Sequence, residues 1–183
     1  MITLTTERLV LTSWKLSDAA DLFSYAKNPN VGPAAGWAPH RSIFDSIQLI
    51  TTVLKPSGVY AIRPKGTGRA IGTISLSKDM HRPGLRSMEL GYSMSEAYWG
   101  KGLMTEAVQA MIKHGFDNLG LDRISVTTGP ENLKSQNIIK KCGFTYEGTL
   151  RQAFLVYDGS VRDVMCYSLT RDEYYNRGSE EGV

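Results

Sequence analysis

A glycine-lysine-glycine triplet lies directly before a segment with helical character. Gly100-Lys101-Gly102 follows an alternating stretch, Ser87 to Ser95, and residues suited to a helix begin at Leu103. The first backbone N–H groups of a helix have no partner within it, and the helix dipole adds partial positive charge there. Glycines let a phosphate approach that backbone closely. This turn therefore has the chemistry to hold a pyrophosphate, with Lys101 as a charge at its rim.

Two known nucleotide-binding turns fit these residues poorly. A P-loop needs a glycine and a Ser or Thr where this chain has Ser95 and Gly102, so that motif is excluded. A dinucleotide fingerprint needs a third glycine where Thr105 stands, although Asp122 lies near the acidic position of that motif. The mid-chain, alternating strand before the turn also disfavours it. A purely structural turn stays open as the alternative to a phosphate site.

The strand that leads into the turn is predicted to have one buried face. Side chains alternate along it, with Met88, Leu90, Tyr92 and Met94 on one face and Glu89, Gly91 and Ser93 on the other. This alternation is typical of a mostly antiparallel sheet. The element order along the chain is β-α-α-β-β-β-α-β-α-β-β. We therefore predict an α/β fold with a mostly antiparallel mixed sheet flanked by helices.

Later segments carry clear end signals. Asn132 is placed to cap a helix that runs to Cys142, and Gly143 is placed to stop it. A terminal hairpin is predicted to turn at Asp158-Gly159. One domain is expected over residues 1–172, and residues 173–183 are expected to be a frayed tail.

Composition excludes several classes of protein. The chain has 183 residues, a formal net charge of +3 and two cysteines without metal-ligand neighbours. We predict reduced thiols, no metal site and no nucleic-acid partner, because a clustered basic run is absent. The N-terminal sequence lacks signal-peptide features and no apolar run approaches a membrane span. We expect a cytoplasmic protein without a membrane partner, as a monomer or homodimer.

One long segment resembles a known signature. LGYSMSEAYWGKGLMTEAV is similar to the acetyl-CoA signature of the GNAT acetyltransferases, in the branch that includes the ribosomal-protein N-terminal (alanine) N-acetyltransferases. TERLVL, NLKSQNIIKKCGF and EGTLRQAFLVYDGSVRDVMCYSL resemble that branch's opening strand, second cofactor-contacting helix and terminal hairpin. The resemblance covers nearly the whole chain. It implies a single GNAT-like domain that uses acetyl-CoA as co-substrate.

The resemblance also implies which residues contact the cofactor. The turn amides would receive the pyrophosphate, and the preceding strand would hold the pantetheine arm as an added strand does. The chain departs from the general pattern Arg/Gln-x-x-Gly-x-Gly/Ala at Trp99 and Met104. The expected contacts are Tyr92, Ser93, Met94, Trp99, Gly100, Lys101, Gly102, Leu103, Met104, Thr105, Asn132 and Ser135.

Two residues are candidates for proton transfer. Glu89 is the candidate base, since an acidic residue is common at that place in the family; a solvated strand charge is the alternative. Ile139 stands where many of these enzymes have a tyrosine near the thiol. Ser135 is then implied as the partner of the coenzyme sulfur, with a merely tolerated helix-start serine as the alternative.

The acceptor is predicted to be a primary amine that attacks the acetyl group directly. Trp37 lies in a long early loop and, with Tyr92, is the candidate substrate contact; His40 in the same loop is interpreted as a surface residue. An acidic cleft would favour cationic acceptors, and an open groove between this loop and the terminal hairpin would favour protein N-termini. A non-catalytic acyl-CoA sensor is the alternative function.

Overall fold

The computed structural model describes residues 2–55 and 58–180, with side chains described as far as residue 176 in the last helix. The strands are β1 Leu4–Thr5, β2 Leu9–Ser13, β3 Val59–Pro64, β4 Gly72–Lys78, β5 Ser87–Met94, β6 Arg123–Thr128, β7 Thr145–Leu155 and β8 Val161–Thr170. The helices are α1 Ala19–Ala26, α2 Gly32–Ala35, α3 Ile43–Leu49, α4 Leu103–Lys113, α5 Leu133–Lys141 and α6 Arg171–Glu180. Wider π-helical turns extend α3 over Ile50–Leu54 and α4 over His114–Asn118.

All eight strands form one sheet in the order β1-β2-β3-β4-β5-β6-β8-β7. The neighbours pair antiparallel except β5 and β6, which run parallel. A parallel pair needs a crossover, and α4 supplies it. The predicted α/β class with a mostly antiparallel mixed sheet is confirmed.

Helices cover both faces of this sheet, as alternation along β3 shows. Tyr60 and Ile62 belong to a buried cluster with α4, whereas Ala61, between them, belongs to a second cluster with α1. Successive strand residues point to opposite faces, so the two clusters lie on opposite sides. In α4 the apolar stripe is buried as its spacing predicts, at Met104, Ala107, Val108, Met111 and Ile112.

The C-terminal segment differs from the expectation of a frayed tail. Residues from Arg171 form α6, and Glu173 accepts hydrogen bonds from the backbone N–H and hydroxyl of Thr170, both at 2.8 Å. Tyr174 stacks on Phe116 with ring centroids 4.9 Å apart. The Glu173 cap is a local contact, whereas the stacking of Tyr174 on Phe116 packs the helix against a distant segment, which local composition does not indicate. The last residues of the expected tail, 181–183, lie outside the described part of the chain.

Within residues 2–55 and 58–180, none of the helices combines the length and the apolar character that crossing a bilayer requires.

Candidate active site

The parallel pair at the centre of the sheet opens partway along its length. β5 pairs with β6 from Ser87 to Leu90, but β5 continues to Met94, and β4 pairs with it along that whole length. Past Leu90, no strand of the described residues pairs with the edge of β5 that faced β6. Such an edge can hydrogen-bond an extended ligand as if the ligand were an added strand.

The glycine turn follows β5 and starts α4. Gly100 and Gly102 both have φ of +73°, a left-handed conformation that other residues adopt at a cost. A Cβ added at Gly100 would meet no atom within 4 Å, so the backbone there is open to a ligand. The backbone N–H groups at the start of α4 emerge beside this opening. The prediction of an accessible helix N-terminus after a glycine turn agrees with this geometry.

A long-range contact fixes the shape of this turn. Arg8 donates from Nη1 to the Lys101 carbonyl at 2.9 Å and from Nε to Glu106 Oε2 at 2.6 Å. Glu106 also accepts from the Arg8 backbone N–H at 2.8 Å and from the Thr6 hydroxyl at 2.5 Å. The opening segment of the chain is thereby tied to the first turn of α4.

The charges near the turn differ from the sequence prediction. Lys101 Nζ donates to the Ala97 carbonyl at 2.9 Å, and its side chain does not line the adjoining cleft. Lys134 Nζ instead lies 3.8 Å from the centroid of the Trp99 ring, and Trp99 Nε1 donates to the Met94 carbonyl at 2.8 Å. The Ala97 carbonyl thus holds the Lys101 ammonium away from the predicted phosphate rim, whereas Lys134 on α5 lines the cleft.

Two cavities meet beside the open edge of β5. The larger, of about 940 Å³, runs along the end of β5, the glycine turn and α5. The smaller, of about 550 Å³, lies over the sheet next to Glu89 and Thr127. The residues that line both are concentrated at one junction and include Tyr92, Ser93, Asn132, Ser135 and Arg162.

Most of the predicted cofactor contacts line the larger cavity, which we call the cofactor cleft. Asn132 also caps α5, since its side chain accepts from the Ser135 backbone N–H at 3.1 Å. The residues of the predicted set that line the cleft are Tyr92, Ser93, Met94, Trp99, Gly100, Gly102, Leu103, Met104, Thr105, Asn132 and Ser135.

Tyr92 and Ser135 form a hydroxyl pair at the junction. Tyr92 Oη lies 2.8 Å from Ser135 Oγ, and either atom can be the donor. Burial raises the pKa of Tyr92 to about 12, and the bond from Ser135 opposes that shift. The tyrosine is therefore protonated at neutral pH and can donate. Sequence reasoning named both residues separately but gave no signal that they touch.

Glu89 lies in the smaller cavity rather than free in solvent. Thr127 on β6 donates from Oγ1 to Glu89 Oε1 at 2.7 Å, and both residues line the cavity. This contact orients one carboxylate oxygen and leaves the group beside the space where an acceptor can enter. The carboxylate is half-buried, and its role as the base stays a prediction.

The early loop supplies a wall of the smaller cavity. Trp37 and His40 both line it, with ring centroids 5.7 Å apart. His40, interpreted from the sequence as a surface residue, is half-buried at the cavity wall, and its Nδ1 lies 2.7 Å from Ser46 Oγ. Burial lowers the pKa of His40, and the Asp45 carboxylate opposes that shift. The imidazole is therefore neutral at pH 7.

The early loop and the terminal hairpin close over the junction. The Tyr157 backbone N–H donates to the Gly36 carbonyl at 3.4 Å, and Arg162 Nη1 donates to the Pro33 carbonyl at 3.4 Å. Asn132 Nδ2 donates to the Ala34 carbonyl at 3.3 Å. The space between the early loop and the terminal hairpin is thus bridged by one backbone and two side-chain hydrogen bonds, and we call this bridge the roof.

The cysteines are not placed for covalent catalysis. Cys142 and Cys166 form no disulfide with another described residue, and burial raises the pKa of Cys142 to about 11. Burial also raises the pKa of Cys166. Neither residue lines either cavity. Since the thiolate is the nucleophile, both groups are poor candidates for an acyl-enzyme.

Comparison with known proteins agrees with this architecture. The model of the acetyltransferase (GNAT) domain matches residues 8–145. The chain is 34% identical over 179 residues to an uncharacterized N-acetyltransferase p20 of Bacillus licheniformis, covering 95% of this chain and 99% of that one. It is 32% identical over 104 residues to the [ribosomal protein uS5]-alanine N-acetyltransferase of Escherichia coli, covering 57% of this chain and 53% of that protein.

Solved structures share the fold. A GNAT-family acetyltransferase of Bacillus anthracis superposes with a TM-score of 0.84 at 23% identity, over 94% of this chain and all of that one (100%). Mycobacterium smegmatis RimJ in complex with CoA-disulfide gives 0.79 at 22% identity, over 94% of this chain and 88% of that one. The family match and the full-length relative settle the assignment: the chain belongs to the GNAT acetyltransferase family and is an N-acetyltransferase.

Proposed function

We propose that the cofactor cleft binds acetyl-CoA. We further propose that the smaller cavity, which we call the acceptor cavity, holds the primary amine that receives the acetyl group. The observation that carries this proposal is the meeting of the two cavities at the Tyr92–Ser135 pair. Two substrates that enter from opposite sides would come together at that junction. Holding them in this way converts an encounter in solution into a step within one complex.

The cleft fits a long anionic cofactor. The first amides of α4 and the open backbone at Gly100 can receive a pyrophosphate, and Lys134 and Lys141 line the same cleft with positive charge. The unpaired edge of β5 past Leu90 offers backbone groups to the pantetheine amides. Acetyl-CoA supplies an activated thioester when bound.

Glu89 takes the proton of the attacking amine, directly or through water. Its carboxylate borders the acceptor cavity and is oriented by Thr127. The amine must be neutral to attack, so a positioned base raises the fraction that can react. Trp37 forms part of the wall against which the acceptor packs.

The Tyr92–Ser135 pair acts at the sulfur that leaves. Tyr92 keeps its proton at neutral pH because burial raises its pKa to about 12. The pair can donate a hydrogen bond or a proton to the coenzyme thiolate as it leaves. Tyr92 on β5 thus has the role near the thiol that many of these enzymes give to a tyrosine at the position of Ile139 on α5.

The test is an acceptor screen that follows release of free thiol, combined with calorimetry. We expect acetyl-CoA to bind in the micromolar range, as is common for such substrates, and much more tightly than NAD. Equal or tighter binding of NAD would overturn the proposed cleft. Binding of acetyl-CoA without turnover on any amine would favour the non-catalytic acyl-CoA sensor.

A further inference from the structure

Arg162 brings a positive charge into the acceptor cavity. It lies on β8, borders both cavities, and among the described residues it takes part in no ion pair. Its guanidinium carbon lies 4.9 Å from the centroid of the Phe154 ring. A cation held at a cavity wall in this way is available to an anionic ligand.

The guanidinium keeps several donors unused. Of its five N–H groups, one is donated to the Pro33 carbonyl at 3.4 Å, and Nε is buried without any hydrogen-bond partner. A buried unpaired donor carries a cost that a ligand can remove. The planar fork of an arginine matches a carboxylate through two parallel hydrogen bonds.

The backbone around Arg162 is shaped to hold this side chain in place. A Cβ at Gly129 would lie 3.6 Å from its Cζ and Nε and 3.2 Å from Glu131 Oε2, a carboxylate near the guanidinium that forms no ion pair with it; a Cβ at Gly36 would lie 3.2 Å from Nη2. Gly36 has φ of +89°, which already disfavours another residue there. Two glycines and the Phe154 ring therefore leave the guanidinium one defined place under the roof.

Charge in the acceptor cavity is arranged as one carboxylate and one guanidinium. The ionisable groups that line it are Glu89, Arg162, the neutral His40 and two tyrosines, Tyr25 and Tyr92. A polyamine or an aminoglycoside would bring further cations toward Arg162, which repels them. A zwitterion, with an amine and a carboxylate, complements both charges.

The spacing along the sheet allows a small molecule to contact both the Glu89 carboxylate and the Arg162 guanidinium. Thr127, which binds Glu89, pairs across the ladder with Cys166, and Arg162 lies four residues from Cys166 on the same face of β8. Four strand residues span about 13 Å. The two long side chains and a small zwitterion between them can fill that length.

We propose that the acceptor is a small amino-carboxylate, such as a free amino acid, whose carboxylate Arg162 binds while its amine lies between Glu89 and the Tyr92–Ser135 pair. This rests on the proposed function, since it assumes that the smaller cavity is the acceptor site. The roof supports a small acceptor, because a peptide chain that leaves the cavity there must pass the contact between Tyr157 and Gly36.

The experiment compares L-alanine with L-alaninamide, which lacks the carboxylate, by kcat/KM from thiol release. The ratio between these acceptors is measured in the unchanged protein, in Arg162→Gln and in Arg162→Lys. We expect Arg162→Gln to reduce the alanine-to-alaninamide ratio at least ~10-fold, because it removes the charged hydrogen bonds to the carboxylate of alanine. Arg162→Lys keeps the positive charge but loses the planar fork. Its alanine-to-alaninamide ratio should therefore lie between those of the unchanged protein and of Arg162→Gln.

Arg151→Gln is the matched control. Arg151 is an exposed arginine of the same hairpin and lines neither cavity, so its removal should leave the ratio unchanged. Comparing ratios cancels the different basicity of the two amines and any general loss of folded enzyme. Arg162→Lys keeps the test decisive if Arg162→Gln does not fold.

Several outcomes overturn the proposal. An equal loss on both acceptors, or a weaker binding of acetyl-CoA by Arg162→Gln with an unchanged ratio, would show that Arg162 serves the cofactor or the fold. A preference of more than tenfold for an alanine-initiated peptide amide over alanine would assign the cavity to protein N-termini. Absence of turnover on every amine, with acetyl-CoA bound, would instead contradict the proposed function itself.

Discussion

The cofactor cleft and the acceptor cavity meet at one junction but are built differently. Besides side chains of α5, the cleft offers backbone groups of two short segments close in sequence, the end of β5 and the turn into α4. The cavity uses side chains from far-apart segments, such as Trp37, Glu89, Thr127 and Arg162. A backbone site leaves a local pattern of glycines and alternation. A side-chain site leaves isolated residues whose importance depends on what the fold brings beside them.

The largest expected effect tests the acceptor side. Glu89→Gln should lower kcat/KM about 10²-fold at low pH, where little neutral amine exists. The loss should shrink as pH approaches the pKa of the acceptor amine, because solvent then supplies neutral amine. The pH profile of kcat/KM with one good amine measures this.

Acetyl-CoA affinity is the internal control for that variant and should stay nearly constant, since Glu89 does not line the cofactor cleft. A loss below threefold at every pH would eliminate Glu89 as the base. Positioning of a neutral amine would then be the main catalytic device.

The next effect tests the junction. Tyr92→Phe and Ser135→Ala should each lower kcat roughly tenfold to 10²-fold, less than Glu89→Gln because a thiolate leaves partly unaided. Tyr92 has a pKa of about 12, so it is protonated throughout pH 6–9 and the loss in Tyr92→Phe should be independent of pH there. The double variant should lose less than the product of the single losses, because the two hydroxyls act as a unit. Fully multiplicative losses would show that the 2.8 Å contact is not used in catalysis.

A third change tests the backbone site. Gly102→Val should weaken acetyl-CoA binding at least tenfold, about 1.4 kcal/mol, by obstructing the helix start and straining a residue at φ +73°. Gly66→Val is the matched control, because Gly66 has φ of +80° in a hairpin turn with no atom within 4 Å of an added Cβ. It should show similar strain with unchanged affinity in calorimetry. A folded Gly102→Val protein that binds acetyl-CoA normally would make this turn purely structural.

The smallest expected effect concerns the support of that turn. Arg8→Gln should weaken acetyl-CoA binding by about threefold or less and lower the free energy of unfolding by no more than about 1 kcal/mol, since the Arg8 side chain is 47% exposed. Arg69→Gln is the control: its side chain is 67% exposed and pairs with Asp21 away from the cleft. It should change stability by a similar or smaller amount and leave affinity unchanged. Equal effects of both variants on affinity would remove any role for Arg8 at the turn.

Prediction from sequence succeeded where backbone conformation follows from neighbouring residues. Asn132 caps α5 as expected, and Gly143, with φ of +80°, follows the end of the same helix. These features depend on residues within one helical turn, so one window of sequence contains their causes.

Sequence patterns did not indicate which of several possible contacts a flexible or loop side chain makes. Lys101 binds the Ala97 carbonyl four residues before it and does not line the cofactor cleft, and His40 is half-buried at the wall of the acceptor cavity. Charge and loop position were the available signals for both. Neither signal indicates which partner a flexible or loop residue meets.

By itself, the sequence determined the strand-turn-helix unit that forms the cofactor cleft, because glycine conformation, strand alternation and helix capping are local properties of the chain. The tertiary structure alone decided that Tyr92 meets Ser135, that Arg162 lies under the roof with unused donors, and that β5 separates from β6 past Leu90. Those outcomes depend on how strands pair and where the parallel pair opens. Contacts between distant segments arise from the packing of the whole sheet, which no single window of the sequence contains.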